Sequence, residues 1–291
     1  MLTIVILFFS LILFSACSQS IDEASMEQKS RVTVDFNTFQ VEVEDMGRSS
    51  RTAPTLSDVA KRLSFVMFKS DGVTLVEETT IHQENTFNGT GFGSVELELY
   101  PGTYQMVAVA HNGLGNASIA STSSATLPGE TITDTFTKVQ ELTVEPNKEC
   151  SFTMPLNRIT SAFILRLNDT PPANVKEIEV IVNTGGVDPA SLDINPGTGR
   201  ASNNWIQRCT IPVADLGNDV PIYFIGMIKE TSVTITATAY DASENVIISH
   251  TLNNVSLVAN KKTVATGTFF QSSVSGAFTV TTWDADQNIN Y

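Results

Sequence analysis

The stretch Val95-Glu96-Leu97-Glu98-Leu99-Tyr100-Pro101-Gly102-Thr103-Tyr104-Gln105-Met106-Val107-Ala108-Val109-Ala110 decides the fold class. Val95 to Leu99 alternates apolar and acidic residues with period two, the pattern of a strand with one face buried and one in water. Tyr100-Pro101-Gly102 then supplies a turn, and a second apolar strand follows. The same grammar recurs outward in both directions. Val32 to Phe36, Leu63 to Phe68, Ser151 to Leu156, Ala162 to Leu167, Ile178 to Val182, Ile222 to Ile228, Val233 to Ala239, Val246 to Ser249 and Phe278 to Val280 read as strands. Turns are signalled at Ser70-Asp71-Gly72, Asn112-Gly113, Glu145-Pro146-Asn147, Asn183-Thr184-Gly185-Gly186 and Asn195-Pro196-Gly197. Short strands at this spacing predict an all-β protein of packed sandwiches. One helical turn is expected, over Leu56 to Lys61 with Ser57 as its cap.

Composition agrees. The 291 residues are 42% hydrophobic but only 16% charged, against about 25% in an ordinary soluble domain. Polarity therefore comes from Thr, Ser and Asn, which suit strands and turns. The length predicts two domains, and a boundary is expected near residue 156, giving units of 31–156 and 157–291. With 17 basic and 31 acidic residues the formal charge is −14. No Lys/Arg cluster could neutralise phosphates, which argues against a nucleic-acid partner.

Leu2 to Phe14 is almost wholly apolar and too short to span a bilayer comfortably, and small residues at Ser15-Ala16 precede Cys17. This resembles a bacterial lipoprotein signal, residues 1–16, with Cys17 as the acylated first residue of the mature chain. No Lys or Arg follows Met1, so the true translation start is expected a few residues upstream. Residues 17–30 read as a polar tether. Everything after Cys17 is then expected outside the cytoplasm, where Cys150 and Cys209 could pair; a chain of this size needs no staple, and two buried free thiols are expected.

Between Val43 and Leu56 lies Asp45-Met46-Gly47-Arg48-Ser49-Ser50-Arg51-Thr52-Ala53-Pro54, which has no apolar period and two arginines in the setting of a nickable loop. Upstream, Val32, Val34 and Phe36 alternate in one phase and Phe39, Val41 and Val43 in the other, so 31–44 reads as a strand with a bend. At the other terminus Phe278 and Val280 alternate before Trp283 breaks phase, and a polar tail follows.

Together the lipobox at Cys17, the segments Lys61 to Gly72, Leu99 to Gly113 and Met154 to Phe163, and the pattern Asn260 to Phe269 followed by Phe278 to Trp283 resemble the fimbrillins, the pilin and accessory lipoproteins of Bacteroidia type V fimbriae. The resemblance implies two transthyretin-like β-sandwiches and an outer-membrane lipoprotein that joins a surface fimbrium, a homo- or heteropolymer used for adhesion. It also implies assembly by donor-strand exchange. An Arg-specific protease would cut after Arg51, or secondarily Arg48, removing the strand of Val32, Val34 and Phe36. The C-terminal strand, with Phe278, Val280 and Trp283, would fill a neighbour's slot. Such cleavage would leave a 240-residue subunit of charge −11. The alternative within the family is an unclipped, lipid-held anchor or assembly subunit.

A third reading is a surface glycan binder, a role that needs exposed aromatics, for which Trp205 and Trp283 are the tryptophans available. Chemistry is not indicated. His82, His111 and His250 stand apart from one another, and GxSxG, HExxH and GK[ST] motifs are absent. Gly89-Thr90-Gly91-Phe92-Gly93 lacks the helix a phosphate loop needs. Asp284, Asp286, Asn288 and Asn290 imitate half a calcium loop without its Gly or its bidentate Glu. No metal, cofactor or catalytic residue is expected, and the four Asn-x-Ser/Thr sequons at Asn88, Asn116, Asn168 and Asn254 carry no reading in an exported bacterial protein.

Overall fold

The computed structural model describes residues 28–37, 55–86, 91–128, 133–185, 191–202, 204–213, 219–225, 232–271 and 279–283. These form twenty strands and one short helix, so the protein is all-β. A three-stranded sheet is ordered β4 (Ser94–Leu99), β1 (Ser30–Asp35), β9 (Cys150–Thr153). It faces a five-stranded sheet ordered β10 (Asn157–Arg158), β8 (Thr135–Val144), β5 (Gly102–His111), β2 (Arg62–Lys69), β3 (Ile81–Glu84). Between them lies one apolar cluster, running from Val32 to Leu156 and including Phe36, Phe65, Met67, Met106 and Phe136.

The later chain builds two more sheets, ordered β16 (Asp219–Ile225), β11 (Thr160–Leu167), β19 (Lys262–Gly267), β20 (Thr279–Trp283), and β15 (Ile206–Pro212), β12 (Glu177–Asn183), β17 (Ser232–Tyr240), β18 (Val246–Ser256). Phe269, just after β19, joins their facing side chains, among them Phe163, Leu165, Val180 and Ile235, in a second core. Trp205 belongs to it at 1% exposure. That placement removes Trp205 as a glycan platform, because an indole inside a core cannot stack on a sugar ring.

A fifth sheet joins the two halves of the sequence. It is ordered β14 (Arg200–Ala201), β13 (Ser191–Asn195), β7 (Ser124–Pro128), β6 (Ser118–Ser121), with Leu192 opposite Leu127 and Ile194 opposite Ala125. It explains where simple alternation fails. Leu63 to Phe68 is buried at every position, because Leu63, Phe65 and Met67 face the first core while Val66 and Phe68 meet Val107 and Ile119 on the far side. A strand covered on both faces needs few polar residues, so Leu63 to Phe68 of β2 carries only Ser64 and Met106 to Ala110 of β5 carries none.

The expected helical turn is present as α1 (Leu56–Val59), but Thr55, not Ser57, caps it. The Asp58 carboxylate, three residues on, accepts the Thr55 N–H at 2.8 Å, the reciprocal arm of a capping box. Ser57 is already inside the helix. Asn85 and Asn112 then hold its far end, donating to Ala60 O at 3.1 Å and Val59 O at 2.9 Å.

Candidate functional site: the slot that holds the first strand

Strand β1 sits in the middle of its sheet. On one side it runs antiparallel to β4, with Val32 opposite Leu97 and Val34 opposite Val95; on the other it runs parallel to β9, with Val34 beside Phe152. Val32, Val34 and Phe36 alternate inward and are wholly buried. The Phe36 ring meets Phe65 edge-on, with centroids 5.6 Å apart. The slot floor is therefore apolar and its two walls are backbone edges.

Both ends of the strand are fastened. At the entrance the Ser30 hydroxyl donates to Glu145 O at 3.0 Å. At the exit Phe36 N–H donates to Gly93 O at 2.8 Å, Met154 N–H to Asp35 O at 2.9 Å, and the Asn37 amide to Gly93 O at 3.2 Å. Gly93, at φ +84°, lies so close to Asn37 that a Cβ would come within 2.6 Å of its side chain. The Gly91-Phe92-Gly93 part of the glycine-rich run is thus a turn that brings β4 alongside β1, which accounts for its composition without a ligand. On the outer face Arg31 pairs with Glu96 at 2.6 Å, both more than half exposed, and this hydrogen-bonded carboxylate raises the guanidinium pKa.

The predicted site residues fall as follows. Cys17, Arg48, Arg51 and Phe278 lie outside the described residues, as do 38–44 and 284–291. Val280 is 41% exposed on β20, which among the described strands pairs with β19 alone, antiparallel, and Trp283 is in register with Lys262. The chain entering the segment before β20 is clamped. The Asp169 carboxylate accepts Phe269 N–H at 2.8 Å and Phe270 N–H at 2.6 Å, while the His250 Nε2 lies 2.8 Å from Phe269 O, to which it donates. Cys150 and Cys209 are free, as expected, but half-buried rather than buried; burial raises the Cys209 thiol pKa.

The remaining histidines have structural surroundings. His82 Nδ1 lies 2.9 Å from the buried Ser64 hydroxyl. His111 is buried, its Nδ1 accepting Gly113 N–H at 3.1 Å and its Nε2 without a partner among the described residues. Burial, with Arg62 adding to it, pushes His111 down to about 4, so it is neutral at neutral pH. Among the described residues no group of three His, Cys, Asp or Glu side chains could hold a metal ion, and no helix is long and apolar enough to cross a membrane.

Sequence reasoning missed the polar hub at the junction of the halves. Arg158, 6% exposed, donates from Nε and Nη2 to the two carboxylate oxygens of Asp134 at 2.9 and 3.0 Å, and from Nη1 to Asn260 Oδ1 at 3.1 Å. Its guanidinium lies 5.1 Å from the Phe136 ring centroid. Thr160 donates to Asp134 at 2.7 Å. The only sequence signal was an Arg between two apolar strands, at the end of Met154-Pro155-Leu156-Asn157-Arg158.

Three solved structures share the fold at identities too low to show more than that. A protein assigned as a cell adhesion protein from Bacteroides eggerthii is 9% identical, with 88% of this chain and 95% of that one covered and a TM-score of 0.54. One assigned as polysaccharide-binding, from Bacteroides thetaiotaomicron, is 13% identical over 88% and 98%, with a TM-score of 0.53. A fimbrial assembly protein from Parabacteroides distasonis is 11% identical over 87% and 94%, with a TM-score of 0.50. No curated protein matches the chain. The sequence of residues 26–288 matches the family described as fimbrillin-A associated anchor proteins Mfa1 and Mfa2. That span includes β1, its slot, both cores and β20, and the chain belongs to this family of fimbrial anchor proteins.

Proposed function

We propose that the protein is a lipid-held anchor or assembly subunit of a surface fimbrium, acylated at Cys17, tethered to the outer membrane through residues 17–30, and keeping β1 as its own first strand. The observation that carries this reading is that the family match begins at residue 26, upstream of β1, so the first strand belongs to what the anchor proteins share. The fastenings of Ser30, Phe36 and Asn37 support it, since they hold β1 at both ends. Its partners are other fimbrial subunits, and its contribution to adhesion is structural rather than enzymatic. Residues 31–156 and 157–291 are taken as its two sandwich units.

A second reading has one observation in its favour. Because β1 is flanked on both sides, cleavage after Arg51 or Arg48 and loss of the strand would leave β4 and β9 with unpaired backbone edges over an apolar floor, the form of slot that β-augmentation fills. The uncharged strand β20, at the sheet edge among the described strands and with Val280 exposed, would be the donor. That protein would be a polymerising pilus subunit.

The lipid anchor is tested by Cys17→Ala in cells. The variant is expected to leave the outer-membrane fraction and accumulate in the periplasm, folded, whereas an unchanged membrane fraction would show that some other element holds the protein there.

A further inference from the structure

Most sheet edges among the described residues are guarded. β4 carries Glu96 and Glu98. β15 has Arg208 and Pro212, and β16 has Asp219 and Pro221. β3, β6 and β9 are four residues long, and β10 and β14 are two. Charge, proline and shortness are the ordinary devices by which a protein denies its edges to other strands. Strand β18 uses none of them. It is eleven residues long, Val246-Ile247-Ile248-Ser249-His250-Thr251-Leu252-Asn253-Asn254-Val255-Ser256, with no charged residue and no proline, and among the described strands only β17 pairs with it.

Two irregularities confine the regular part. Pairing with β17 shifts between Ala239 and Tyr240 and again between Val233 and Ile235, where Asn254 adopts φ +59°. Between those shifts Ile248 to Leu252 pairs without interruption, from Ala239 to Ile235. This five-residue segment is Ile-Ser-His-Thr-Leu, and read backwards it is Leu-Thr-His-Ser-Ile. An antiparallel partner of the same sequence, centred on His250, would place Ile248 opposite Leu252 and Ser249 opposite Thr251, apolar against apolar and hydroxyl against hydroxyl. In the single chain Ile248 and Leu252 are only half-buried at the rim of the second core, while Ser249 and Thr251 are exposed on the outer face. The His250 imidazole is directed to Phe269 O, so it stays with its own chain.

We infer that the β18 edge is a self-recognition surface, at which a second copy of this chain adds its own β18 antiparallel about a two-fold axis through His250. Such a contact is isologous and closes after two copies, so it gives a dimer and not a fibre. It is independent of β1, of Cys17 and of whether the chain is clipped.

The test uses the chain from residue 17 with Cys17→Ser, which keeps every described residue, followed by sedimentation velocity from about 10 to about 500 µM, the range a small edge contact requires. Reversible dimerisation is expected. In Ser249→Lys/Thr251→Lys the two substituted side chains of one copy face those of the other as like charges, and dimer affinity is expected to fall about tenfold or more. In Ser249→Lys/Thr251→Glu the same positions face each other as opposite charges, and dimerisation is expected to stay within about threefold of the parent and to weaken with added salt. A monomer at every concentration overturns the inference. So does association indifferent to the double lysine variant, or lost equally in both variants.

Discussion

Phe36→Ala is expected to lower the unfolding free energy by about 3–5 kcal/mol, the cost of truncating a fully buried aromatic side chain. Phe36 has no exposed surface and follows β1 directly, continuing its inward alternation, packed edge-on against Phe65 of the opposing sheet. Its removal takes away transfer energy and leaves a cavity between two sheets that are both pinned, so the site cannot collapse to fill it. Thr33, whose side chain alternates to the outer face of the same strand, provides the control. Thr33→Ala is expected to cost less than about 1 kcal/mol. Urea unfolding followed by far-UV circular dichroism separates the two. Equal, small effects would mean that β1 is not seated in the slot.

Arg158→Ala is expected to destabilise by about 3–5 kcal/mol, because it strands a largely buried carboxylate rather than because the ion pair is itself so favourable. Asp134 has 17% of its side chain exposed and receives both arms of the guanidinium. Removing the cation leaves that charge, among the described residues, with only Thr160 as a side-chain donor. The double change Arg158→Met/Asp134→Leu should recover most of the loss, since neither partner then remains unpaired. Thermal unfolding of the two single variants and the double variant measures this. A double variant as unstable as the singles would show that the hub acts through a unique geometry and not through charge compensation. The location makes the effect matter beyond local stability. Asp134 precedes β8, Arg158 and Thr160 open the path to the second core, and Asn260 precedes β19, so one guanidinium ties three segments at the joint between the cores.

Much of this fold is legible in the sequence because half-buried strands announce themselves with period two. β1, β4 and β12 do so, and each buries alternate residues. β2 and β5 also read as alternating strands, but Leu63 to Phe68 is buried at every position, and the sheet of β6, β7, β13 and β14 that explains this double burial leaves no mark in the local pattern. Its strands are short, and its central pair, β7 and β13, is matched across 63 or more residues, as between Pro128 and Ser191; local pattern carries no information about such a partner. The burial of Trp205 is not legible for the same reason: a lone indole in a polar neighbourhood carries no local sign of the core that Thr184 and β15 help to close around it. The inward triad of β1 was legible, since alternation identifies the face. The fastenings by Asn37 and Gly93 were not, because they join residues 56 apart through a side-chain amide and one carbonyl.

Anchor and clipped pilin differ in whether β1 stays in its slot in the working protein. The measurement that decides it is the intact mass and N-terminal residue of the protein extracted from the outer membranes of cells that make it. An acylated Cys17 at the N-terminus, with the chain continuous through Arg48 and Arg51, is the predicted result. An N-terminus at Thr52 or Ser49, with no residue of β1 remaining, would contradict it and identify a clipped subunit whose slot is filled by another chain.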